Sequence, residues 1–127
     1  MTYVKETRKG VAQATKDLEA AVARHGFGVL HTYDLHETLE SKGFPIRNAC
    51  RVLEVCNPRH AQAVLDHDMA LNMALPCRIS VYEEAGATRI GMIPPSDIVG
   101  LVSRSDALRT VAGEVEAAIR SMIDEAA

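Results

Sequence analysis

An α+β domain built on a mostly antiparallel sheet, with helices packed on one face, is what three features of this sequence predict. Residues 77–83 and 88–93 alternate in polarity on either side of Glu84-Ala85-Gly86-Ala87, the pattern of a β-hairpin. Two segments, one near each end of the chain, repeat apolar residues at three- and four-residue steps, the mark of amphipathic helices. The segments follow in the order β-α-β-(short α)-β-α-β-β-α, five strands in all. No repeat, low-complexity tract or linker interrupts them, so residues 1–127 are expected to form a single domain.

Thr2–Thr7 reads as the first strand. Val11, Ala14, Leu18, Ala21, Val22 and His25 then line one face of a helix, and Gly26 stands where a C-terminal cap accepts positive φ cheaply. Phe27–Tyr33 is a second strand, with Phe27, Val29, His31 and Tyr33 expected on one face. Asp34 caps a short helix through Leu39 that stops at Gly43, and Pro45 opposes its continuation. A third strand covers Ala49–Cys56. Asn57 and Pro58 then suit the N-cap and first position of a helix that turns Ala61, Val64 and Leu65 toward the core. Cys77–Glu83 and Thr88–Ile93 form the hairpin, which Pro94-Pro95 ends. Ser96–Arg104 is read as a connecting segment, and a long helix runs from Ser105 to Glu125.

Composition narrows the function. The apolar fraction of 47% with 24% charged residues belongs to a globular chain, and two Phe, three Tyr and no Trp require an aliphatic core. Net charge is −3, and Lys5, Arg8, Lys9 and Lys16 are spread around Glu6, so they read as a solvated face. Nucleic-acid binding is disfavoured, since phosphate neutralisation needs a concentrated cationic surface. No window approaches the ~18–20 apolar residues of a membrane span, and the first residues lack a signal-peptide core. A cytoplasmic location follows as the expectation, with free thiols, because the cysteine count of three is odd.

Chemistry concentrates between Cys50 and Cys77. Cys56 precedes a helix start, where unpaired N–H groups and the helix dipole favour a thiolate. Such a thiolate could carry sulfur, bind a soft metal or act as a nucleophile; the alternative is a small side chain packed at a strand end. Cys50 shares its strand parity but lies roughly 20 Å away along an extended chain. Cys56 and Cys77 meet only if the intervening segment folds back, for which a break near Asp68 would serve. His60 and His67 could join them as mixed zinc ligands, although the spacing matches no strong signature, or be solvent-facing helix histidines. Met69 and Met73 could ligate Cu(I) or haem, or fill core space. Glu54 could serve as a raised-pKa base or pair with Arg51, Arg78 or Arg89 across the sheet. No nucleophile elbow, phosphate-binding glycine loop, zinc-protease helix or dinucleotide fingerprint occurs.

The run Arg51-Val52-Leu53-Glu54-Val55-Cys56-Asn57-Pro58, followed by Ala61, Leu65 and Leu75-Pro76-Cys77-Arg78-Ile79-Ser80-Val81-Tyr82-Glu83, resembles the prokaryotic "domain of unknown function 302" family. The resemblance extends over roughly residues 5–95 and includes Gly26-Phe27-Gly28-Val29. It implies a two-layer sandwich of TATA-binding-protein-like topology, without importing DNA binding, and a homodimer. No activity comes with it, so no catalytic residue carries over.

The expectation is therefore a binding module that holds a soft metal, haem or sulfur species at a Cys56/Cys77 patch. His60, Glu54 and Asn57 are further ligand-binding candidates, with Cys56, Cys77, His60 and Met73 the candidate metal ligands. Two alternatives stand beside it. One is a thiol-dependent sulfur-transfer or redox enzyme with Cys56 as nucleophile and Glu54 or His60 as its proton partner. The other is an interaction protein whose cysteines only pack. The expected partners are a second copy of the chain and a small ligand or metal, with neither nucleic acid nor membrane.

Overall fold

The computed structural model describes residues 1–127. Five strands, β1 (Tyr3–Thr7), β2 (Gly28–Asp34), β3 (Cys50–Cys56), β4 (Cys77–Glu84) and β5 (Ala87–Met92), form one sheet in the order β1-β5-β4-β3-β2. Every neighbouring pair is antiparallel. Helices α1 (Val11–Arg24) and α5 (Asp106–Ala126) pack against each other and cover one face.

The core lies between these layers. Leu53, Val55, Ile79, Val81 and Ile90 from the sheet meet Leu18, Val22, Ile119, Met122 and Ile123 from the two helices. It is aliphatic, as the scarcity of aromatics requires. Helix α1 ends on Gly26 at φ 76°, where Gly26 N–H donates to Ala23 O and Phe27 N–H to Val22 O. This pair of bonds satisfies carbonyls that the helix end would otherwise leave open. The hairpin turn is Ala85-Gly86, with φ 51° and 79°. Positive φ at both central residues matches the right-handed twist of the strands.

The edge strand β1 is tied to the end of α5. Tyr3 Oη and Lys5 Nζ both donate to Asp124. Thr7 Oγ1 donates to Ala127 O and Lys9 Nζ to Ala126 O. The Arg120 guanidinium lies 4.4 Å over the Tyr3 ring.

Two sequence expectations need correction. The alternation of β2 breaks at Leu30: Val29 pairs with Val55 and His31 with Glu54, so one β2 residue has no counterpart in β3. A β-bulge of this kind reverses facing, so Val29 joins the core while His31 and Tyr33 turn to the helix-free face. The segment after Pro94 is not a simple connection either. It forms α4 (Pro95–Val102), with Pro95 in the first turn where its missing N–H costs nothing.

The break near Asp68 is present. Helix α3 (Pro58–His67) stops there, and Asp68 caps a 3-10 helix, Met69–Ala74, by accepting from Ala70 N–H. Beyond it lies a second small cluster, Val64, Leu71 and Leu108, packed with Leu75, Val99, Val102 and Val111. This cluster joins α3, the 3-10 helix and α4 to the first half of α5 as a flap beside the main core.

Gly91 marks the tightest approach in the sheet. A Cβ there would lie 2.8 Å from Val4 Cγ2 and 3.1 Å from Tyr3 O. Gly91→Ala is expected to destabilise the protein by about 1–3 kcal/mol through displacement of β1. Urea unfolding reads this directly, and a midpoint equal to that of the unsubstituted protein would refute it.

Candidate ligand cavity beside Cys56 and Cys77

The site is built where the chain leaves β3 and returns to β4. Asn57 caps α3 by accepting from the Arg59 and His60 N–H groups, while Pro58 starts the helix. The chain runs out along α3, reverses through the 3-10 helix and re-enters the sheet after a cis Leu75–Pro76 bond. In the β3–β4 ladder Val55 lies opposite Cys77. Cys56 is the next residue along β3, so the segment between the two cysteines has folded back and brings them near enough for Cys56 to influence the Cys77 thiol.

Both cysteines line a cavity of about 290 Å³ between the flap and the core. Twenty of its 26 lining residues are hydrophobic, cysteines included, and Val64, Leu71, Leu108, Val111 and Val115 form much of its wall. Val64, expected to face the core, does so in the second cluster, and with Ala61 and Leu65 it also lines this cavity. An apolar cavity of about 150 Å³ already accommodates benzene, so this one has room for a substituted aromatic or a short branched chain.

The polar groups on the lining are few. Asn57 Oδ1 is used by the helix cap, and Asn72 Nδ2 donates to Met69 O. Arg78 stands opposite Glu54 and alternates with the inward-facing Cys77 and Ile79. Its charge is felt by Tyr33 and Cys50 on the helix-free face. His60 is different. Its Nε2 faces Glu114 Oε2 at 3.9 Å, its ring meets Phe27 edge to face at 6.3 Å, and its Nδ1 is buried without a hydrogen-bond partner on the protein.

The thiols are held protonated. Burial pushes Cys77 up from 9.0 to about 11, and the nearby Cys56 adds to the effect. Burial also raises Cys56, and it raises Cys50 together with the Asp34 carboxylate. The expected thiolate at Cys56 is thereby corrected. The first N–H groups of α3 are taken by Asn57, and the apolar surroundings of the cavity penalise a charged sulfur.

The other candidates are dispersed. Glu54 accepts from Tyr33 Oη at 2.8 Å and is absent from the cavity lining. Of the arginines it was weighed against, Arg51 faces Asp34 and Arg89 pairs with Glu6 and Glu84, while Arg78 stands opposite Glu54 in the β3–β4 ladder. Cys50 stands at the far end of β3. His67 meets Ser105 Oγ at 3.3 Å, and Met69 and Met73 are 65% and 75% exposed. No group of three or more His, Cys, Asp or Glu side chains gathers as a metal site.

Sequence reasoning had no means of naming the outer wall. Phe27, Ile98 and Val99 line the cavity, as do Leu108 and Val111 from α5. The signal available was Ile98, Leu101 and Val102 in a segment too short to show a helical period.

Comparison with known proteins now decides the family. The model of "Domain of unknown function DUF302" matches residues 3–126. The chain belongs to the DUF302 family. A solved structure, the uncharacterized conserved protein DUF302 from Bacillus stearothermophilus, superposes with a TM-score of 0.94 at 32% identity. The match covers 99% of this chain and 98% of that one. No curated protein matches. The DUF302 sandwich is thus shown, and no helix in it is long and apolar enough to cross a membrane.

Alkylation tests the state of the DUF302 thiols. Iodoacetamide should modify Cys77 with a rate that climbs through a midpoint near 11. Because the folded thiol keeps its proton to higher pH than the unfolded one, its contribution to stability falls as pH rises from 9.0 to about 11. Cys77→Ser should flatten that part of the stability profile. A Cys77 midpoint below 9.0 would show that burial does not control this thiol.

Proposed function

We propose that this DUF302 chain is a small-molecule binding module that holds a mainly apolar, uncharged ligand between the flap and the Cys56–Cys77 wall. The observation that carries the reading is a 290 Å³ cavity whose lining is overwhelmingly hydrophobic and whose two thiols are neutral. Such a pocket, with few polar groups, is the usual form of a small-ligand site. Protonated sulfur is polarisable and packs well against aromatic or sulfur-containing groups, so the softness expected of the ligand survives in neutral form.

This reading takes the place of a metal at Cys56, Cys77, His60 and Met73. Met73 faces solvent, and the remaining groups do not gather into a cluster. A thiol enzyme with Cys56 as nucleophile has less support, since burial raises its thiol pKa and Glu54 is engaged elsewhere. A reducing, cytoplasmic compartment belongs to the proposal and is supported by three free cysteines. A homodimer belongs to it through the family resemblance, and light scattering reads the mass.

p-Xylene is a suitable probe. It is expected to bind with Kd on the order of 0.1–1 mM. Ala112→Leu extends a side chain of α5 into the cavity and should raise Tm by a few degrees while abolishing that binding. Ala61→Leu fills from the opposite wall and serves if the first variant misfolds. Calorimetry of the unsubstituted protein showing no binding, or undiminished affinity in a folded filled variant, overturns the proposal.

A further inference from the structure

We propose that the helix-free face of the sheet docks a second copy of this chain, about a two-fold axis that runs along the strands between β3 and β4. The interface stands on its own geometry; its effect on the cavity mouth rests on the binding reading above.

The ladder registers place the side chains. One row across this face is Tyr33, Val52, Ser80, Gly91 and Val4, on β2, β3, β4, β5 and β1 in turn. A row nearer the cavity holds His31, Glu54 and Arg78, and one nearer the hairpin turn holds Cys50, Tyr82, Arg89 and Glu6. Helices α1 and α5 lie on the opposite face. Two of the three tyrosines stand here, and His31 meets the Tyr33 ring edge to face at 4.3 Å. Tyrosine and arginine are the side chains that interfaces favour.

The face complements itself. The proposed axis lays β3 over the partner's β4 and β2 over the partner's β5. Glu54 then meets the partner's Arg78, and Arg78 meets the partner's Glu54. Arg24, Arg51 and Arg89 have ion pairs within the chain, whereas Arg78 has none. In the middle row Val52 lies over the partner's Ser80, and Tyr33 over the partner's Gly91, the one position there without a side chain. Cys50 lies over the partner's Tyr82. Large groups thus meet small ones, and the central charges meet their opposites. An axis along β4 would instead set Arg78 on the partner's Arg78.

The area suffices. Five strands at about 4.8 Å spacing, each about six residues long, give a footprint of about 24 by 20 Å. Side-chain relief raises the accessible area above that footprint, toward the about 800 Å² per partner of a standard interface. The same axis brings Leu30 of β2 toward the partner's Ile93, just past the end of β5. These two residues line the cavity where it reaches the surface and are 61% and 56% exposed. Docking therefore covers the mouth, and the cavity is incomplete in the single chain.

Sedimentation equilibrium should give twice the chain mass, and a protein that stays monomeric at about 0.1 mM overturns the proposal. Arg78→Glu and Glu54→Arg should each weaken self-association about 100-fold, because the two-fold repeats every like-charge contact. Mixed together, the two variants should form a heterodimer in which both contacts attract again. A mixture that stays monomeric, or single variants that dimerise as tightly as the unsubstituted protein, overturns the interface. If a variant misfolds, nuclear Overhauser effects in the unsubstituted protein decide. The Tyr33 ring should report the Val4 methyl groups, which lie about 19 Å away across the sheet within one chain; a dimer without that signal refutes the axis. Ser80→Arg, outside the cavity lining, should give a folded monomer that binds p-xylene about three- to tenfold more weakly. Undiminished binding in that monomer overturns the closing of the mouth and leaves the interface standing. A dimer that binds no p-xylene overturns the ligand reading instead.

Discussion

The antiparallel β3–β4 ladder is the constraint on which the rest of the site depends. With Val55 opposite Cys77, the chain that leaves the sheet at Cys56 must return to almost the same place. A single helix cannot do this, because each residue advances it by about 1.5 Å along one axis. The sequence solves the problem at Asp68, which stops α3 and caps a 3-10 turn. The excursion therefore becomes a flap with its own small apolar cluster of Val64, Leu71 and Leu108. That cluster closes on the first half of α5, while the main core closes on the second half. The cavity is the space between two cores that do not merge.

Burial, not the helix, sets the chemistry of the cysteines. A helix N-terminus stabilises a nearby negative charge by about 0.3–1 kcal/mol. The rise of Cys77 from 9.0 to about 11 corresponds to about 2–3 kcal/mol against the thiolate. Cys56 follows the same direction although it immediately precedes the N-cap. The Asn57 carbonyl explains why. It accepts the N–H groups that would have faced a thiolate, so proximity to a helix start supplies little field when the cap is already made by a side chain.

The sheet, both amphipathic helices and the Asn57-Pro58 and Asp34 caps were legible in the sequence because each rests on local pattern. The apolar periodicity of α5 is continuous along the helix. The structure divides it: Leu108, Val111 and Val115 reach the cavity, while Met122 and Ile123 belong to the main core alone. Periodicity reports which residues are buried but not what covers them. The bulge at Leu30 was equally invisible, since an extra residue in one strand is defined by its partner and not by its own sequence. Helix α4 is eight residues long, about two turns, and two turns of Pro-Ser-Asp-Ile-Val-Gly-Leu-Val establish no period. Of the candidate site, Cys56, Cys77, His60 and Asn57 do line one cavity, whereas Glu54 and Met73 do not. The four share the β3–α3 and β4 junctions; Glu54 lies two residues back along β3, where it accepts from Tyr33, and Met73 is turned out to solvent.

An apolar space of this size is costly to maintain. At about 24 cal/mol per Å³, a sealed cavity of 290 Å³ corresponds to about 7 kcal/mol, comparable with the whole stability of an ordinary domain. The lining reaches the surface at Leu30 and Ile93, which are 61% and 56% exposed, so the real cost is smaller than that of a sealed void. The sequence nevertheless keeps small side chains at Ala61, Ala74 and Ala112 along the lining, where larger ones would close the space. A chain under pressure only to pack would gain stability by enlarging any of the three. Retaining them makes better physical sense if the cavity is occupied when the protein works, with the ligand completing a core that the flap and the sheet leave unfinished.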